Sequence, residues 1–380
     1  MVYSMVFGEK INCDIMDKMN YFIKKYNEKN IDTDFSSYII GADIGGTYTS
    51  IGVAGIKNSK PYLLFSLEYK SQELDSIIPA FLETLSYANE NYNIKIDSAC
   101  LGVAGVVDPN KDIIQLTNVK WDINKSKLIS STGLKNIEII NDFQAVGYGL
   151  NLLDLSNENH ILKIKDEKNK NILSTTKALI GAGTGLGKSI LIYDKNSKIY
   201  LPIPSEGGHE DFPAQDEFEM QLLDFIKKSN GISQPITYEE LLSGRGIYNI
   251  YLFIKNSQEL KTTKYADEIE KSKDKASLIS KYRLLDETCK ETFRLFTRYY
   301  ARCAKNFVLD TMALGGLYIA GGIALKNKEI FQSKEFLNEF ENAYRRVDIV
   351  KKIPIYIILE NNVGLYGACL AAVHHFNIKN

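Results

Sequence analysis

The chain has 380 residues, too many for one average domain, so two domains are the natural expectation. Its 44% hydrophobic and 24% charged residues are the balance of a folded globular protein, and a formal net charge of −1 leaves no basic surplus for holding nucleic acid. Five cysteines (Cys13, Cys100, Cys289, Cys303 and Cys369) are scattered and never form C-x-x-C, which fits reduced thiols in a cytoplasmic protein rather than a disulfide framework or a zinc site.

Residues 1–37 read as an N-terminal extension. Glu9 and Lys10 follow a short apolar start, so no signal-peptide core is expected there. Cys13–Tyr26 carries Ile15, Met19, Phe22 and Ile23 at helical spacing and predicts an amphipathic helix that could dock, mediate oligomer contacts or stay disordered. From Tyr38 the pattern changes. Tyr38–Ala42, Thr49–Gly55 and Tyr62–Tyr69 predict three successive strands, with turns at Gly45-Gly46 and Lys57–Lys60. Leu74–Asn91 predicts a helix, Ala99–Val103 and Ile137–Ile140 short buried strands, and Ala145–Leu152 a helix after the second. A strand meander followed by alternating helix and strand implies a mixed sheet with helices on its faces.

A polar stretch at Ser156–Lys177 marks a loop or hairpin near a domain border. A second strand set follows: Ala178–Gly183, Ser189–Tyr193 and Ile199–Ile203. Helices are then expected at Asp216–Lys228, Tyr238–Leu242, Ile247–Ile254 and Leu285–Leu314, late strands at Leu317–Ala320 and Ile355–Leu359, and a final helix at Val363–His375. The longest nearly apolar run, Met312–Leu325, is too short to cross a bilayer and contains four glycines, so it reads as a buried strand entering a turn and no membrane partner is expected. Two strand sets, each opened by a glycine-rich turn, suggest a duplicated fold with a ligand between the halves.

Five segments carry candidate chemistry. Asp43-Ile-Gly-Gly-Thr47 ends the first strand with an acid, two glycines and a hydroxyl. Glycines let backbone N–H groups approach a phosphate, and an adjacent acid can hold the water shell of Mg²⁺. Alone, the segment is equally a hairpin turn with a solvated Asp. Gly181-Ala-Gly-Thr-Gly-Leu-Gly187 is a second candidate phosphate loop, since a plain turn seldom needs four positions without a side chain. Asn141-Asp142 lies where a strand's C-terminal end would present a carboxylate to a ligand, and Asp142 could equally cap the next helix, the two roles being compatible. Glu206-Gly-Gly-His209 offers two hydrogen-bonding side chains on a loop stiffened by Pro202 and Pro204. With no further His or Cys at ligand spacing, a polyhydroxyl ligand suits it better than a metal. Leu317-Tyr-Ile-Ala-Gly-Gly-Ile323 is a strand with a third glycine pair, which a tight turn explains as well as an adenine does.

In this order, Asp43-Ile-Gly-Gly-Thr47, Ile139-Ile-Asn-Asp-Phe143, Gly181–Gly187, Glu206-Gly-Gly-His209-Glu-Asp-Phe212, Leu242-Ser-Gly244 and Ile319-Ala-Gly-Gly-Ile323 resemble the bacterial-type glucokinase family of the actin-like ATPase (sugar kinase, Hsp70 and actin) superfamily. The similarity runs from about Tyr38 to Phe376 and leaves the N-terminal extension outside it. The resemblance implies an α/β, two-domain actin-like ATPase (ribonuclease H-like) fold with a ligand cleft between a small domain (38–152 plus 362–380) and a large one (153–361). It implies ATP-dependent phosphorylation of the 6-hydroxyl of D-glucose, with Mg²⁺. Asp142 would be the catalytic base, and Asn141, Asp142, Glu206, His209 and Glu239 would bind the sugar. Glu239 has Glu240 beside it as a competitor for that place. Ala42, Asp43, Ile44, Gly45, Gly46 and Thr47, with Gly183, Thr184 and Gly185, would line the ATP phosphates. Gly321 and Gly322 would face the adenosine, and Asp43 would organise Mg²⁺ through water. A cytoplasmic enzyme is implied, and a homodimer is compatible with the reading. Rival readings are a kinase for another hexose and a non-catalytic sugar-sensing relative of the repressor/kinase branch. Members of that branch usually carry a clustered Cys/His motif that the scattered cysteines do not supply.

Overall fold

The computed structural model describes residues 20–26, 34–166, 175–257 and 265–378. They fall into two compact units, one running through Asp142 and including residues from Ala368 on, the other Phe143–Gly367.

The first unit is built on a six-stranded sheet. Strands β1 (Tyr21–Lys25), β2 (Ser37–Ile44), β3 (Tyr48–Lys57), β4 (Lys60–Lys70), β5 (Ser98–Val103) and, after a two-stranded ribbon of β6 (Ile113–Ile114) and β7 (Ile123–Asn124), β8 (Asn136–Asn141) supply it. Its order is β1-β4-β3-β2-β5-β8. β1, β4, β3 and β2 pair antiparallel, whereas β2, β5 and β8 run parallel. Near-continuous burial along β5 is what a central parallel strand covered on both faces requires. Helix α1 (Ile78–Tyr92) has Pro79 in its first turn and stops at Asn93, whose φ of 52° lies in the left-handed region. Helix α2 (Lys125–Thr132) is capped by the Asn124 side chain, which accepts the Lys127 N–H. Ile40, Val53, Phe65, Phe81 and Leu101 are among the buried residues of this core.

The second unit starts with helix α3 (Asp142–Gly149), whose first residue belongs to the preceding unit, and carries β9 (Ile161–Lys165), β10 (Lys177–Ala182), β11 (Leu186–Asp194) and β12 (Ile199–Ser205). Helices α4 (Glu217–Asn230), α5 (Gly244–Ser257), α6 (Ala266–Lys271), α7 (Lys275–Tyr282) and α8 (Glu287–Asp310) follow. Then come β13 (Leu317–Ala320), the short helices α9 (Gly322–Lys326), α10 (Lys328–Phe331), α11 (Lys334–Glu341) and α12 (Val347–Val350), β14 (Ile355–Ile358) and α13 (Val363–His375), whose residues from Ala368 on belong to the first unit. The sheet order is β12-β11-β10-β13-β14-β9. β10, β11 and β12 pair antiparallel and β10, β13 and β14 parallel, with β9 antiparallel on the far edge. Long α8 is the organising element of this core, burying Phe296, Tyr299, Tyr300 and Phe307. Its Arg302 is 1% exposed and forks onto Glu219 of α4, which is fully buried, with contacts of 2.7 and 2.9 Å that satisfy both carboxylate oxygens.

The two sheets share one plan. In each, a three-strand meander (β2-β3-β4, β10-β11-β12) is extended by two parallel strands (β5 and β8, β13 and β14). In each, the glycine-rich turn joins the first and second strands, as the duplicated-fold reading requires. Among the described residues no helix is long and apolar enough to cross a membrane.

Several local expectations change. Tyr21–Lys25, expected within an amphipathic helix, is instead the edge strand β1; residues 13–19 of that helix lie outside the described residues. Strand β4 offers an unpaired edge, and pairing with it satisfies the backbone of residues 21–25 while Tyr21 Oη donates to Glu83 at 3.0 Å. Helix α3 starts at Asp142, three residues before the expected start at Ala145. The polar stretch 156–177 contains β9, which covers the edge of β14. The helix expected at Tyr238–Leu242 is a single 3₁₀ turn at Tyr238–Glu240.

Candidate functional site

In the first unit, β2 delivers Asp43 just before the turn. Ala42 and Ile44, which flank it in the strand, are buried in the core between β3 and β5, so neither offers a surface to a ligand, contrary to the expectation that they line the nucleotide site. The Asp43 carboxyl is partly exposed, and among the described residues it has no hydrogen-bond donor or cation as partner. Desolvation alone pushes it up to about 6 from an ordinary 3.8. A carboxylate held without a counterion suits a cation brought with its own water and phosphate ligands. Among the described residues no group of three or more His, Cys, Asp or Glu is placed to hold a metal ion.

The turn itself is tight. The Gly45 N–H donates to Tyr48 O at 3.0 Å, and a Cβ on Gly46 would stand 2.5 Å from the Asn118 Cβ. Thr47 is exposed. At the far side of this sheet, β8 ends at Asn141, paired with Val103 of the parallel strand β5, and the chain turns straight into α3 at Asp142. Asn141 Nδ2 donates to Gly105 O at 3.2 Å. The two residues thus stand together at a strand's C-terminal end, where open α/β sheets present ligand-binding groups.

In the second unit the four glycines of 181–187 divide by role. A Cβ on Gly181 would lie 2.7 Å from the Phe143 ring and 2.8 Å from Ala320 O, and one on Gly187 would lie 2.1 Å from the same ring. These two allow the β10–β11 pair to pack against α3 and β13. Gly183 faces open space and Thr184 is exposed. A Cβ on Gly185 would fall 2.6 Å from Glu239 Oε2, the atom that accepts the Leu186 N–H at 2.9 Å. The Gly244 N–H donates to Gly183 O at 2.8 Å, so the 239–244 segment holds the turn at both ends. Arg245 forks onto this segment, reaching Glu239 Oε1 at 3.3 Å and Glu240 Oε1 at 2.6 Å. The loop Glu206–His209 folds as a 3₁₀ turn whose Gly208 leaves no room for a side chain, since a Cβ would lie 2.1 Å from Leu186 O. Beneath it, buried Lys188 on β11 pairs with Glu210 at 2.8 Å. Glu206 and His209 are left with side chains 58% and 59% exposed and only 4.0 Å apart, free to turn toward polar ligands. Gly321 takes a φ of 91°, and a Cβ there would meet Ala182 O at 2.5 Å, so backbone geometry already requires a glycine. Gly322 is exposed, with open space where its Cβ would be.

The family model described as Glucokinase matches residues 40–375. The chain belongs to the glucokinase family. It is 35% identical over 348 residues to the glucokinase of Nostoc punctiforme, covering 88% of this chain and 98% of that one. It is 31% identical over 355 residues to that of Synechocystis, covering 88% and 97%. Among solved structures, a glucokinase from an Antarctic psychrotroph superposes with a TM-score of 0.71 at 25% identity, over 89% of this chain and 99% of that one. A glucokinase from Balamuthia mandrillaris, solved in complex with glucose, superposes with a TM-score of 0.75 at 22% identity, over 88% and 93%. The fold is accordingly the two-domain actin-like α/β fold of the glucokinases, as the motif order implied.

Sequence reasoning did not find the supports of these segments. Phe143 closes the Ile139–Phe143 motif, but nothing local shows that its ring lies under the second turn, and Lys188 under the 206–209 loop and Ser71, Gln72, Asn118 and Trp121 around the first turn carry no motif of their own. Arg245 could have been noticed, because it follows Leu242-Ser-Gly244 directly.

Proposed function

We propose that this glucokinase-family chain transfers the terminal phosphoryl group of ATP to the 6-hydroxyl of D-glucose, giving glucose 6-phosphate and ADP. The observation that carries the reading is the presence, in one family-matched chain, of two glycine turns at equivalent places in two like-ordered sheets together with an acid at the end of β8. Asn141, Glu206, His209 and Glu239 hydrogen-bond the sugar hydroxyls and Asp142 orients the 6-hydroxyl. The O6–P bond forms as the bond from phosphorus to the β–γ bridging oxygen breaks, and the hydroxyl proton passes to the Asp142 carboxylate. An ordinary carboxylate, with a pKa near ~4, is a weak base for an alcohol. A loose transition state needs little early deprotonation, so taking the proton late suffices. Backbone N–H groups of Gly46 and Thr47 and of Thr184 and Gly185 carry the phosphates, Gly45 and Gly183, whose own N–H groups close the turns, let them approach, and Gly321-Gly322 lies beside the adenosine. Mg²⁺, organised by Asp43 through water, neutralises charge on the phosphates when bound. The four free, buried cysteines of the described residues suit a reducing compartment such as the cytoplasm.

A panel of hexoses with ATP, read by coupled ADP release, tests the assignment. Glucose-dependent ADP release is expected. Release with mannose or glucosamine but not glucose would move the substrate, and none with any sugar would leave a sensor. Glu206→Gln is expected to raise the glucose KM at least tenfold with little change in the ATP KM, and equal effects on both would remove Glu206 from the sugar site.

A further inference from the structure

The turn at Gly45–Thr47 has an asymmetry that its own residues do not explain. All three of its carbonyls are occupied from one side. The Ser71 hydroxyl donates to Gly45 O at 2.6 Å, the Ser71 N–H to Thr47 O at 3.0 Å, and Gln72 Nε2 to Gly46 O at 2.9 Å. The second hydrogen of the same Gln72 amide goes to Asn118 O at 2.7 Å. Ser71 is completely buried and is held in turn: the chain's single tryptophan, Trp121, donates its indole N–H to Ser71 O at 3.1 Å, and Thr49 Oγ1 lies 2.9 Å from Ser71 Oγ. The donors present the opposite picture. Among the described residues, neither the Gly46 N–H nor the Thr47 N–H has a hydrogen-bond partner. Backbone N–H groups are seldom left so, and adjacent unpaired ones in a turn form an anion nest.

We propose that Ser71 and Gln72 are positioning residues for phosphoryl transfer, locking the carbonyls of the 45–47 turn to one side so that its two free N–H groups are preset toward a nucleotide phosphate. The inference rests on the kinase reading above and adds residues that lie outside its motifs. An unclamped Gly-Gly turn can flip a peptide and present a carbonyl to the phosphate, which repels it. Each flip-prone peptide here is tied by a donor that a flip would strand. Gln72 is exposed, so the clamp can be cut there without opening the core.

The test compares Gln72→Ala and Gln72→Glu with the unaltered protein. Both lose the bifurcating amide, and Glu keeps the size while placing a carboxylate against two carbonyls. The expected result is an ATP KM raised about tenfold in Ala and at least as much in Glu, with the glucose KM and the thermal midpoint unchanged. Calorimetric titration with ADP should show the same tenfold weakening without any turnover. Unchanged ATP KM and ADP affinity, with hexose-dependent ADP release intact, would overturn the clamp and leave the kinase reading standing. Weakened ADP binding in the variants, with no hexose-dependent release even from the unaltered protein, would uphold the clamp and overturn the kinase reading. A fall of the midpoint together with both KM values rising alike would reduce Gln72 to a structural role and overturn the proposal.

Discussion

Glu239 Oε2 accepts the backbone N–H of Leu186 at 2.9 Å, so a carboxylate proposed as a sugar ligand also closes the Gly181–Gly187 turn, which is proposed to meet the phosphates. The two oxygens of Glu239 are engaged differently, one by this N–H and the other by Arg245. A substitution can therefore separate the roles. Glu239→Gln keeps an oxygen for Leu186 but loses the charge offered to Arg245 and to sugar hydroxyls. Glu239→Ala also strands the Leu186 N–H, at a cost of about 1–3 kcal/mol if it is left unsatisfied. The expected outcome is a glucose KM raised at least tenfold by Gln with the ATP KM nearly unchanged, and both raised by Ala. Steady-state kinetics with each substrate varied in turn checks this. An ATP KM unaffected by Ala would show that the Leu186 bond does not hold the turn.

The glycines of 181–187 make an internal control. Gly183→Ala adds a methyl to open space, so the thermal midpoint should stay within about a degree while the ATP KM rises, because Gly183 is proposed to approach the phosphates. Gly187→Ala drives a methyl to 2.1 Å from the Phe143 ring. Overpacking of this kind costs about 1–3 kcal/mol, so its midpoint should fall by several degrees. If both variants melt alike, the division of labour is wrong.

How much of this was legible beforehand differs by element. The meanders, the parallel strands and α8 follow from apolar periodicity because they bury continuous faces, and the fold class came from the motif order. The β1 strand was not legible: Phe22 and Ile23 fit a helical face, yet both are exposed in the folded chain. The edge of β4 decided their conformation instead, which is tertiary context overriding local pattern. The glycine segments stood out, but not which glycine meets a ligand and which meets Phe143, since that depends on neighbours far along the chain. The Ser71–Gln72 clamp was half-legible. A hairpin centred on Lys57–Lys60 pairs Tyr48 with Lys70, and counting that register places residues 71 and 72 beside the 45–47 turn. The buried Arg302–Glu219 pair had no local signal at all.

Burial sets a pH signature at Asp43. The folded carboxyl titrates at about 6 and the unfolded one near 3.8, so the folded state holds its proton more tightly. Stability from this group is therefore complete below pH 4 and is lost as the pH rises through about 6. At about 1.4 kcal/mol per unit, the charged form costs up to about 3 kcal/mol above pH 7. Asp43→Asn removes that cost. Without metal or nucleotide, the variant should melt several degrees above the unaltered protein at pH 7.5 and level with it at pH 4, while losing most of its activity. Scanning fluorimetry in EDTA across pH 4–8 reads the difference; melting curves that run parallel at every pH would refute a desolvated carboxylate.

Asp142 supplies the decisive kinetic contrast. A side chain that only bound sugar would, when removed, raise the glucose KM and leave kcat largely alone. One that takes the 6-hydroxyl proton acts in the transition state, and general-base assistance is worth about 10²–10⁴-fold. Asp142→Ala should therefore still bind glucose, measured by calorimetry without ATP, while kcat falls at least a hundredfold. Asp142→Asn, which keeps the shape and a hydrogen bond but cannot accept the proton, should fall as far. Recovery of near-normal turnover in Asn would reassign Asp142 to orientation alone and send the proton to water.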